Sequence, residues 1–189
     1  GSMLLLGAIS FALEVYADFS GYSDMAIGIA RLLGFQVTKN FDFPYFSQNV
    51  AEFWRKWHIS LTGWLTEYVF TPLSIVFRDW GKLGLILSIV INMIVCGFWH
   101  GANWTFIVFG LLQGLFFIPL ILRGKMNKRH KMAKGTIIPT WREALSIVST
   151  FLIIAITDVL FRCDTIVQAF GYYRRLFSLS LFANPILSH

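Results

Sequence analysis

The fold is decided by residues 83–122, which read LGLILSIVINMIVCGFW, HGAN and WTFIVFGLLQGLFFIPLIL in turn. Each apolar run comes close to the roughly 20 residues that a helix needs to cross the hydrocarbon core of a bilayer. A third run, residues 144–161, has the same character. We therefore predict membrane helices at about 83–99, 104–122 and 144–161.

The composition of the 189-residue chain agrees with a membrane protein. Hydrophobic residues make up 56% and charged residues only 14% of the sequence, and the mean hydropathy is +0.64. These values lie outside the usual range of soluble globular domains. Both cysteines, Cys96 and Cys163, sit in apolar runs, so we expect buried free thiols rather than a disulfide framework. The predicted fold class is an all-α, polytopic integral membrane bundle.

The net charge of +6 is concentrated in one loop between two apolar runs. Six of the 16 basic residues lie between positions 123 and 134. Basic residues close to the ends of membrane helices favour the cytoplasmic side, so we predict a cytoplasmic basic loop within residues 123–143. No groove-reading motif accompanies the charge, and nucleic acid is therefore not an expected partner.

The N-terminal third is apolar but carries acidic residues at apparent membrane depth. The run from Leu4 to Ala17 is interrupted by Glu14, and Asp18 and Asp24 follow closely. Carboxylates at that depth need partners or water, so we expect this segment to face the protein interior or a wet cavity. Residues 22–35 are too short to span the membrane, and we predict a half-helix or re-entrant element there.

Within residues 40–77, an extended or turn segment at 41–46 is followed by the pattern of a helix that lies in the membrane interface. Asn49 is a good N-cap, and Glu52 follows at capping-box spacing. On a helical wheel, the apolar side chains form one arc and the charged side chains form the opposite arc. The tryptophans of the apolar arc are typical of residues at the depth of the lipid headgroups. The apolar arc consists of Phe53, Trp57, Leu61, Trp64 and Tyr68, and the charged arc consists of Glu52, Arg55, Lys56 and Glu67. His58 falls at the edge of the apolar arc.

His100 is the strongest candidate for chemistry. It follows an almost uninterrupted apolar helix, which carries it to the membrane boundary or into the break between two helices. Small neighbours such as Gly97 and Gly101 let a ligand or another backbone approach the ring. A histidine in this setting can be neutral near pH 7 and accept a proton from a hydroxyl group. The alternative is a structural histidine that is hydrogen-bonded to a carbonyl oxygen.

Other chemical interpretations are weaker. A haem or metal held by His58 and His100 lacks a binding signature. Cys96 lies one turn before His100, but an apolar environment raises a thiol pKa, so packing is favoured over a Cys–His nucleophile. Asp158 and Arg162 are four residues apart, and we interpret them as a structural ion pair. Motifs typical of serine hydrolases, zinc proteases and nucleotidases are absent from the sequence.

Four short motifs resemble those of the membrane-bound O-acyltransferase family, in the branch of the alginate O-acetyltransferases and the D-alanyl-lipoteichoic acid transfer proteins. The motifs are DFSGYSDMAIG at 18–28, NFDFPY at 40–45, FWRKWHISL at 53–61 and GFWHGA at 97–102. The resemblance covers residues 3–122 and extends less strongly to Arg162. Family members are commonly longer and have more membrane helices, so the chain is expected to correspond to a central to C-terminal portion.

The resemblance implies site residues, substrates and partners. It makes His100 the catalytic histidine and His58 a second functional position. We expect substrate contacts from side chains in or beside the motifs, namely Asp18, Ser20, Tyr22, Asp24, Arg55, Trp57, Trp99 and Asn103. No resident cofactor or metal is expected. The cosubstrate is an acyl thioester, either acyl-CoA or an acidic acyl carrier protein on the cytoplasmic side, and outside lies a glycan acceptor or a partner acyltransferase.

The resulting expectation is an enzyme that moves a short acyl group, such as acetyl, to a hydroxyl of a polysaccharide or cell-envelope glycan. The expected location is a bacterial cytoplasmic membrane. Residues 1–189 are predicted to form part of one acyltransferase domain, with the re-entrant and motif region at 18–80. Two other classes stay open: a transporter or channel that uses Glu14, Asp18 and Asp24, and a non-catalytic membrane scaffold.

Overall fold

The computed structural model describes residues 1–126 and 139–178, whose regular secondary structure is entirely helical. This confirms the predicted all-α class. The eight α-helices are α1 (Ser2–Leu32), α2 (Val50–Lys56), α3 (Ile59–Leu65), α4 (Thr71–Val76), α5 (Gly81–Trp99), α6 (Trp104–Leu122), α7 (Trp141–Arg162) and α8 (Ile166–Leu176). Short 3₁₀ turns cover Pro44–Phe46 and Arg78–Trp80, and a π turn covers Thr66–Phe70. By length and composition, four described helices could cross a membrane: α1, α5 with the turn before it, α6 and α7.

Helices α5 and α6 form an antiparallel hairpin and make the most extensive helix contact in the described chain. Lys82 near the start of α5 donates a hydrogen bond to the carbonyl oxygen of Leu122 at the end of α6, at 3.0 Å. At the other end, Asn103 caps α6 by accepting a hydrogen bond from the amide of Thr105 at 3.2 Å. The hairpin therefore places His100 at the end opposite the predicted basic loop.

Glycines allow the two hairpin helices to touch backbone to backbone. A Cβ atom on Gly97 would lie 2.2 Å from the carbonyl oxygen of Phe106, and one on Gly110 would lie 2.2 Å from that of Met93. Real side chains do not approach so closely, so both positions require glycine at this helix spacing. Small residues have this role in membrane helix pairs, where packing rather than the hydrophobic effect drives association.

Helix α7 completes the bundle by packing on α1 and α6, with α8 closing over one end. The capping box of Thr140 and Glu143 begins α7. Two tyrosines of α8 hold the end of the bundle together: Tyr172 donates to the carbonyl oxygen of Leu4, and Tyr173 donates to that of Ile156 at 3.0 Å. Helix α8 thereby connects the first and the last long helix.

The prediction of a broken N-terminal segment with a re-entrant element at 22–35 was wrong. Ser2–Leu32 is one helix of 31 residues, and Gly34 ends it with a φ of +82°. Acidic residues are compatible with a helix when they point outward, and Glu14, Asp18 and Asp24 are all exposed in the described chain. The described residues therefore do not place these carboxylates in the protein interior, but Glu14 and Asp24 each border a cavity, which was the other alternative.

The predicted interfacial helix begins as expected but does not continue as one helix. Asn49 accepts a hydrogen bond from the amide of Glu52 at 2.8 Å, which confirms the N-cap. Glu52 is nevertheless buried, with 7% of its surface exposed, and forms an ion pair with Lys56 at 2.8 Å. The helix stops at Trp57, because His58 adopts a left-handed conformation with a φ of 42°. Glu52 lies on the predicted charged arc and is nevertheless buried, because its carboxylate accepts a hydrogen bond from the amide of Gln48 at 3.0 Å and pairs with Lys56.

The basic loop predicted within residues 123–143 lies largely outside the described residues, which include only its two ends. Its cytoplasmic location therefore stays a prediction. The three predicted membrane helices are confirmed within a few residues of their bounds, which are Gly81–Trp99, Trp104–Leu122 and Trp141–Arg162. Both cysteines are free; Cys96 is buried, and Cys163 is partly buried.

Replacing Gly110 by Ala should destabilise the protein, because the added Cβ would overlap the backbone of α5. Gly171→Ala is a matched control on α8, where no atom lies within 4 Å of the place that the added methyl group would occupy. There, Ala should be neutral or stabilise by up to about 1 kcal/mol through helix propensity. Thermal unfolding of the purified variants in detergent measures both effects. Equal melting temperatures for the two variants would contradict the tight α5–α6 contact.

Candidate active site

His58 and His100 line the same cavity, although 42 positions separate them in the sequence. The cavity has a volume of about 90 Å³ and is walled mainly by aromatic and aliphatic side chains of α1, α2, α6 and α7. Its polar lining consists of the two histidines, Gln113 and Asp158, together with the indole rings of Trp54 and Trp57. The cavity therefore combines proton-accepting side chains with an apolar enclosure.

His100 is positioned by the end of α5 and by the turn that follows it. Its amide donates to the carbonyl oxygen of Gly97 at 3.1 Å, so the residue closes the helix. Gly101 then takes a φ of +149°, which side chains rarely adopt. The imidazole meets the ring of Phe161 from α7 edge to face, with centroids 4.8 Å apart. Helix packing thus fixes the ring at the boundary between α5 and α7.

His58 is held by its backbone and by one hydrogen bond. Its left-handed conformation is uncommon for a residue with a side chain and points to a local constraint. Ring atom Nδ1 lies 3.3 Å from Oδ1 of Asn40, which also accepts from the amide of Ser60 at 3.2 Å. Because the Ser60 amide can only donate, the Asn40 atom is an oxygen, so Nδ1 of His58 carries the proton. The other nitrogen, Nε2, keeps a lone pair that can accept a hydrogen bond.

Aromatic rings surround both histidines. Trp99 lies between them, with its ring centroid 5.8 Å from that of His58 and 4.8 Å from that of His100. Phe19 of α1 contacts His58 at 4.7 Å. Trp57 packs against Phe41 at 5.0 Å and so ties the segment before α2 to the cavity wall. Two of the residues expected to contact substrate, Trp57 and Trp99, are therefore beside the histidines.

The surroundings favour the neutral form of both imidazoles. Removal of water lowers the pKa of His100 to about 4, and the nearby His58 adds to this effect. Although His100 as a whole residue is exposed, the aromatic neighbours account for the direction of the shift because they replace water around the ring and solvate a cation poorly. Burial also lowers the pKa of His58 below its ordinary value. At pH 7 both rings are therefore able to accept a proton.

A second cavity of about 140 Å³ adjoins the first and shares Trp54 with it. Arg55 and Met126 line one part of this cavity, and Arg55 donates to the carbonyl oxygen of Met126 at 3.1 Å. Cys96, one helical turn before His100, lines another part. The cavity also contains a buried amide oxygen, Oδ1 of Asn92, that has no hydrogen-bond partner in the described chain. The second cavity thus extends from the basic-loop end of the bundle toward the histidines.

A buried hydrogen-bond chain holds the wall between the two cavities. Nε1 of Trp54 donates to Oε1 of Gln113 at 3.1 Å, and Nε2 of Gln113 donates to Oγ1 of Thr157 at 2.8 Å. Gln113 has no exposed surface. Buried amides are stable in an apolar interior only when they are hydrogen-bonded, and this one has partners on both sides. The chain therefore fixes the indole of Trp54 relative to α6 and α7.

The other residues expected to contact substrate lie apart from the histidine cavity. Asn103 caps α6, and its amide also donates to the carbonyl oxygen of Asp164 at 3.0 Å. Ser20 and Asp24 border a separate cavity near Lys39, while Asp18 and Tyr22 are exposed on α1. Arg55 lines the second cavity, as described above. A substrate role for these residues therefore stays a prediction.

Asp158, whose side chain lines the cavity of the two histidines, was not predicted as a site residue. The predicted ion pair with Arg162 is wrong: the guanidinium lies over the ring of Phe11, with its central carbon 5.6 Å from the ring centroid. A lone carboxylate in the apolar run 144–161 was the available signal, since such residues are functional candidates by default. Asn40, which lies in one of the motifs and orients His58, was not predicted either.

Comparisons with known proteins assign the chain to a family. Residues 2–160 match the model of "MBOAT, membrane-bound O-acyltransferase family". The chain therefore belongs to the membrane-bound O-acyltransferase family. This confirms the resemblance that the four motifs predicted.

The names of individual relatives specify acyl transfer to alginate, peptidoglycan or teichoic acid. The chain is 38% identical over 177 residues to the "Probable alginate O-acetylase AlgI" of Azotobacter vinelandii, covering 92% of this chain and 32% of that protein. It is 34% identical over 180 residues to a peptidoglycan O-acetyltransferase of Helicobacter pylori, covering 92% and 31%. A teichoic acid D-alanyltransferase of Streptococcus thermophilus is 34% identical over 163 residues, covering 80% and 39%. The chain spans about a third of the length of these relatives.

Replacing Gln113 by Leu should destabilise the wall between the cavities, because it removes two hydrogen bonds and leaves the Trp54 indole N–H unpaired. Interhelical hydrogen bonds in membranes contribute about 0.6 kcal/mol on average, so we expect a loss of about 1–2 kcal/mol in the free energy of unfolding. Gln36→Leu, on the exposed segment after α1, is the control. Unfolding in detergent monitored by tryptophan fluorescence would test this, and a Gln113→Leu variant as stable as the control would count against the hydrogen-bonded wall.

Proposed function

We propose that the protein is a membrane O-acyltransferase that moves an acyl group from a thioester to a hydroxyl group of a polysaccharide or cell-envelope glycan. The observation that carries this proposal is the pairing of two neutral histidines in one small aromatic cavity. Membership of the acyltransferase family supports the reaction class. The names of the relatives support a glycan acceptor in a bacterial envelope.

The proposed chemistry begins with the acceptor hydroxyl. His100 accepts its proton while the hydroxyl oxygen attacks the carbonyl carbon of the thioester. The carbon–sulfur bond then breaks, and the thiolate takes the proton from the imidazolium that has formed. General-base assistance contributes about 10²- to 10⁴-fold, so the remaining acceleration comes from holding the two substrates in contact.

His58 has a different role in this proposal. Its Nδ1 proton is committed to Asn40, which leaves Nε2 to accept a hydrogen bond from the acceptor or from a bound water. Its position in a turn between α2 and α3 suits a residue that positions substrate beside the base. The left-handed backbone at His58 directs the ring toward Trp99 and the cavity.

The second cavity is a suitable route for the donor. It extends from Arg55 and Met126, close to the basic segment, toward Cys96 and hence toward His100. An extended thioester arm fits such a path, and the basic loop between α6 and α7 would attract an anionic donor such as CoA or an acidic carrier protein. In this arrangement the donor arrives from the cytoplasm and the acceptor from the opposite side of a bacterial cytoplasmic membrane.

The volume of the histidine cavity, about 90 Å³, favours a short transferred group such as acetyl. The transporter interpretation receives less support. Glu14 borders a cavity near Arg162, Asp24 borders another near Lys39, and Asp18 is exposed, so the three carboxylates do not line one described path.

Replacing His100 by Ala in the intact protein should lower kcat for acyl transfer by at least about 10²-fold, because the base is lost. His58→Asn should reduce the rate less; Asn tolerates the left-handed backbone, so the local fold is kept. Transfer from a radiolabelled thioester in membrane vesicles is the measurement, normalised to the amount of inserted protein. Near wild-type transfer by His100→Ala would refute the proposed base. Loss of insertion in the same variant would support a structural histidine.

The pH dependence provides an independent prediction. Because the pKa of His100 is lowered, its proton-accepting form persists below pH 6.5, and the acidic limb of kcat/KM should have its midpoint below that value. His58 contributes to the lowering, so His58→Asn should move the midpoint to higher pH. A wild-type midpoint at or above 6.5, or a shift to lower pH in the variant, would contradict the described environment.

A further inference from the structure

Asp158 carries a carboxylate in the cavity that holds both histidines. The residue lies in the C-terminal part of the apolar helix α7, one turn before Phe161, whose ring contacts His100 at 4.8 Å. In the described chain no Lys or Arg forms an ion pair with Asp158, and its carboxylate receives no hydrogen bond. The nearest candidate cation along the helix, Arg162, instead lies over Phe11.

A carboxylate without a cation is costly to keep in an apolar cavity. Its presence is easiest to explain when the cavity acquires a positive charge during function. The proposed reaction creates such a charge inside the protein, since the base becomes an imidazolium while the hydroxyl attacks. No charged substrate has to be assumed.

We infer that Asp158 stabilises the imidazolium that forms on His100 during acyl transfer, and so acts as an electrostatic positioning residue. This inference rests on the proposed function. Asp158 changes none of the bonds made or broken in the proposed transfer. The hydroxyl proton moves to His100, the carbon–sulfur bond breaks, and the same proton leaves with the thiol. Asp158 neither gains nor loses a proton, and its negative charge acts through the histidine.

The groups around Asp158 are consistent with this role. Tyr45, in the segment before α2, donates a hydrogen bond from its hydroxyl group to the carbonyl oxygen of Ala12 at 2.6 Å. Tyr173 of α8 donates a hydrogen bond from its hydroxyl group to the carbonyl oxygen of Ile156. Burial raises the pKa of both tyrosines, and the charge of Asp158 contributes, so both stay neutral.

The remaining elements around the cavity present few titratable groups. The polar side chain that α6 places in the cavity lining is that of Gln113, which is neutral. Helix α1 lines the cavity only with the apolar side chains of Phe11, Val15 and Phe19. The titratable groups that share the cavity with Asp158 are therefore the two histidines, His58 and His100.

The test uses the intact membrane protein with the variants Asp158→Asn and Asp158→Glu. Asn keeps the shape of the side chain and removes its charge, while Glu keeps the charge. Asp79→Asn is the control, because it removes a carboxylate that is 85% exposed in the turn before α5. The readouts are kcat and KM for acetyl and D-alanyl thioesters, the acidic limb of kcat/KM, and the titration of His100 by NMR of ring-labelled histidine.

We expect Asp158→Asn to lower kcat by about tenfold or more for both donors, with KM nearly unchanged, because the charge pair exists only while the imidazolium does. The acidic limb and the NMR titration of His100 should both move to lower pH by about one unit. Asp158→Glu should recover part of kcat and restore the limb toward its wild-type position, and Asp79→Asn should behave as wild type.

Two results would overturn the inference. An Asp158→Asn variant whose kcat and His100 titration match the wild type would show that the charge does not act on His100. A rise in KM confined to the D-alanyl donor would instead assign Asp158 to binding a substrate ammonium group. The proposed function is tested separately, by whether the wild-type protein transfers an acyl group at all. The NMR titration of His100 tests the effect of Asp158 even if no transfer can be measured.

Discussion

The backbone contact between α5 and α6 at Gly97 and Gly110 is the constraint on which the site depends. Neither residue could carry a Cβ at this spacing without overlapping a carbonyl oxygen of the other helix. Because the contact fixes where α5 ends, it also fixes His100 against Phe161 of α7, at 4.8 Å between ring centroids. Helix packing in the bilayer thus sets the position of the proposed base.

In the proposed reaction, the second cavity holds the acyl donor and the histidine cavity holds the acceptor hydroxyl group. The larger one extends from the basic-loop end toward Cys96, and the smaller one contains His58 and His100. Trp54 borders both and is held by Gln113, whose amide is anchored to α7 through Thr157. A donor and an acceptor that enter from opposite ends would therefore meet close to Trp54, where water is scarce and a neutral imidazole is favoured.

The membrane helices, and the position of His100 at the end of one of them, were predictable from the sequence, because a long apolar run has few alternatives to a helix in a bilayer. The family resemblance added His58 as a second candidate, and the roles of both histidines stay predictions. Two features were not predictable from spacing. A helical wheel assumes a continuous helix, so it could not show the left-handed break at His58 that separates α2 from α3. Spacing of four residues also suggested that Arg162 pairs with Asp158, but packing against Phe11 draws the guanidinium away.

The central claim is that His58 and His100 act on one transition state from one cavity, and a double-mutant cycle tests it most directly. The cycle compares kcat/KM for wild type, His58→Asn, His100→Ala and the double variant. If His58 positions the hydroxyl group for His100, adding His58→Asn to His100→Ala should change the residual rate by less than about twofold, because positioning no longer helps once the base is lost and groups that act as a unit are strongly non-additive. Effects that multiply would mean that the two histidines act independently, which would contradict the account.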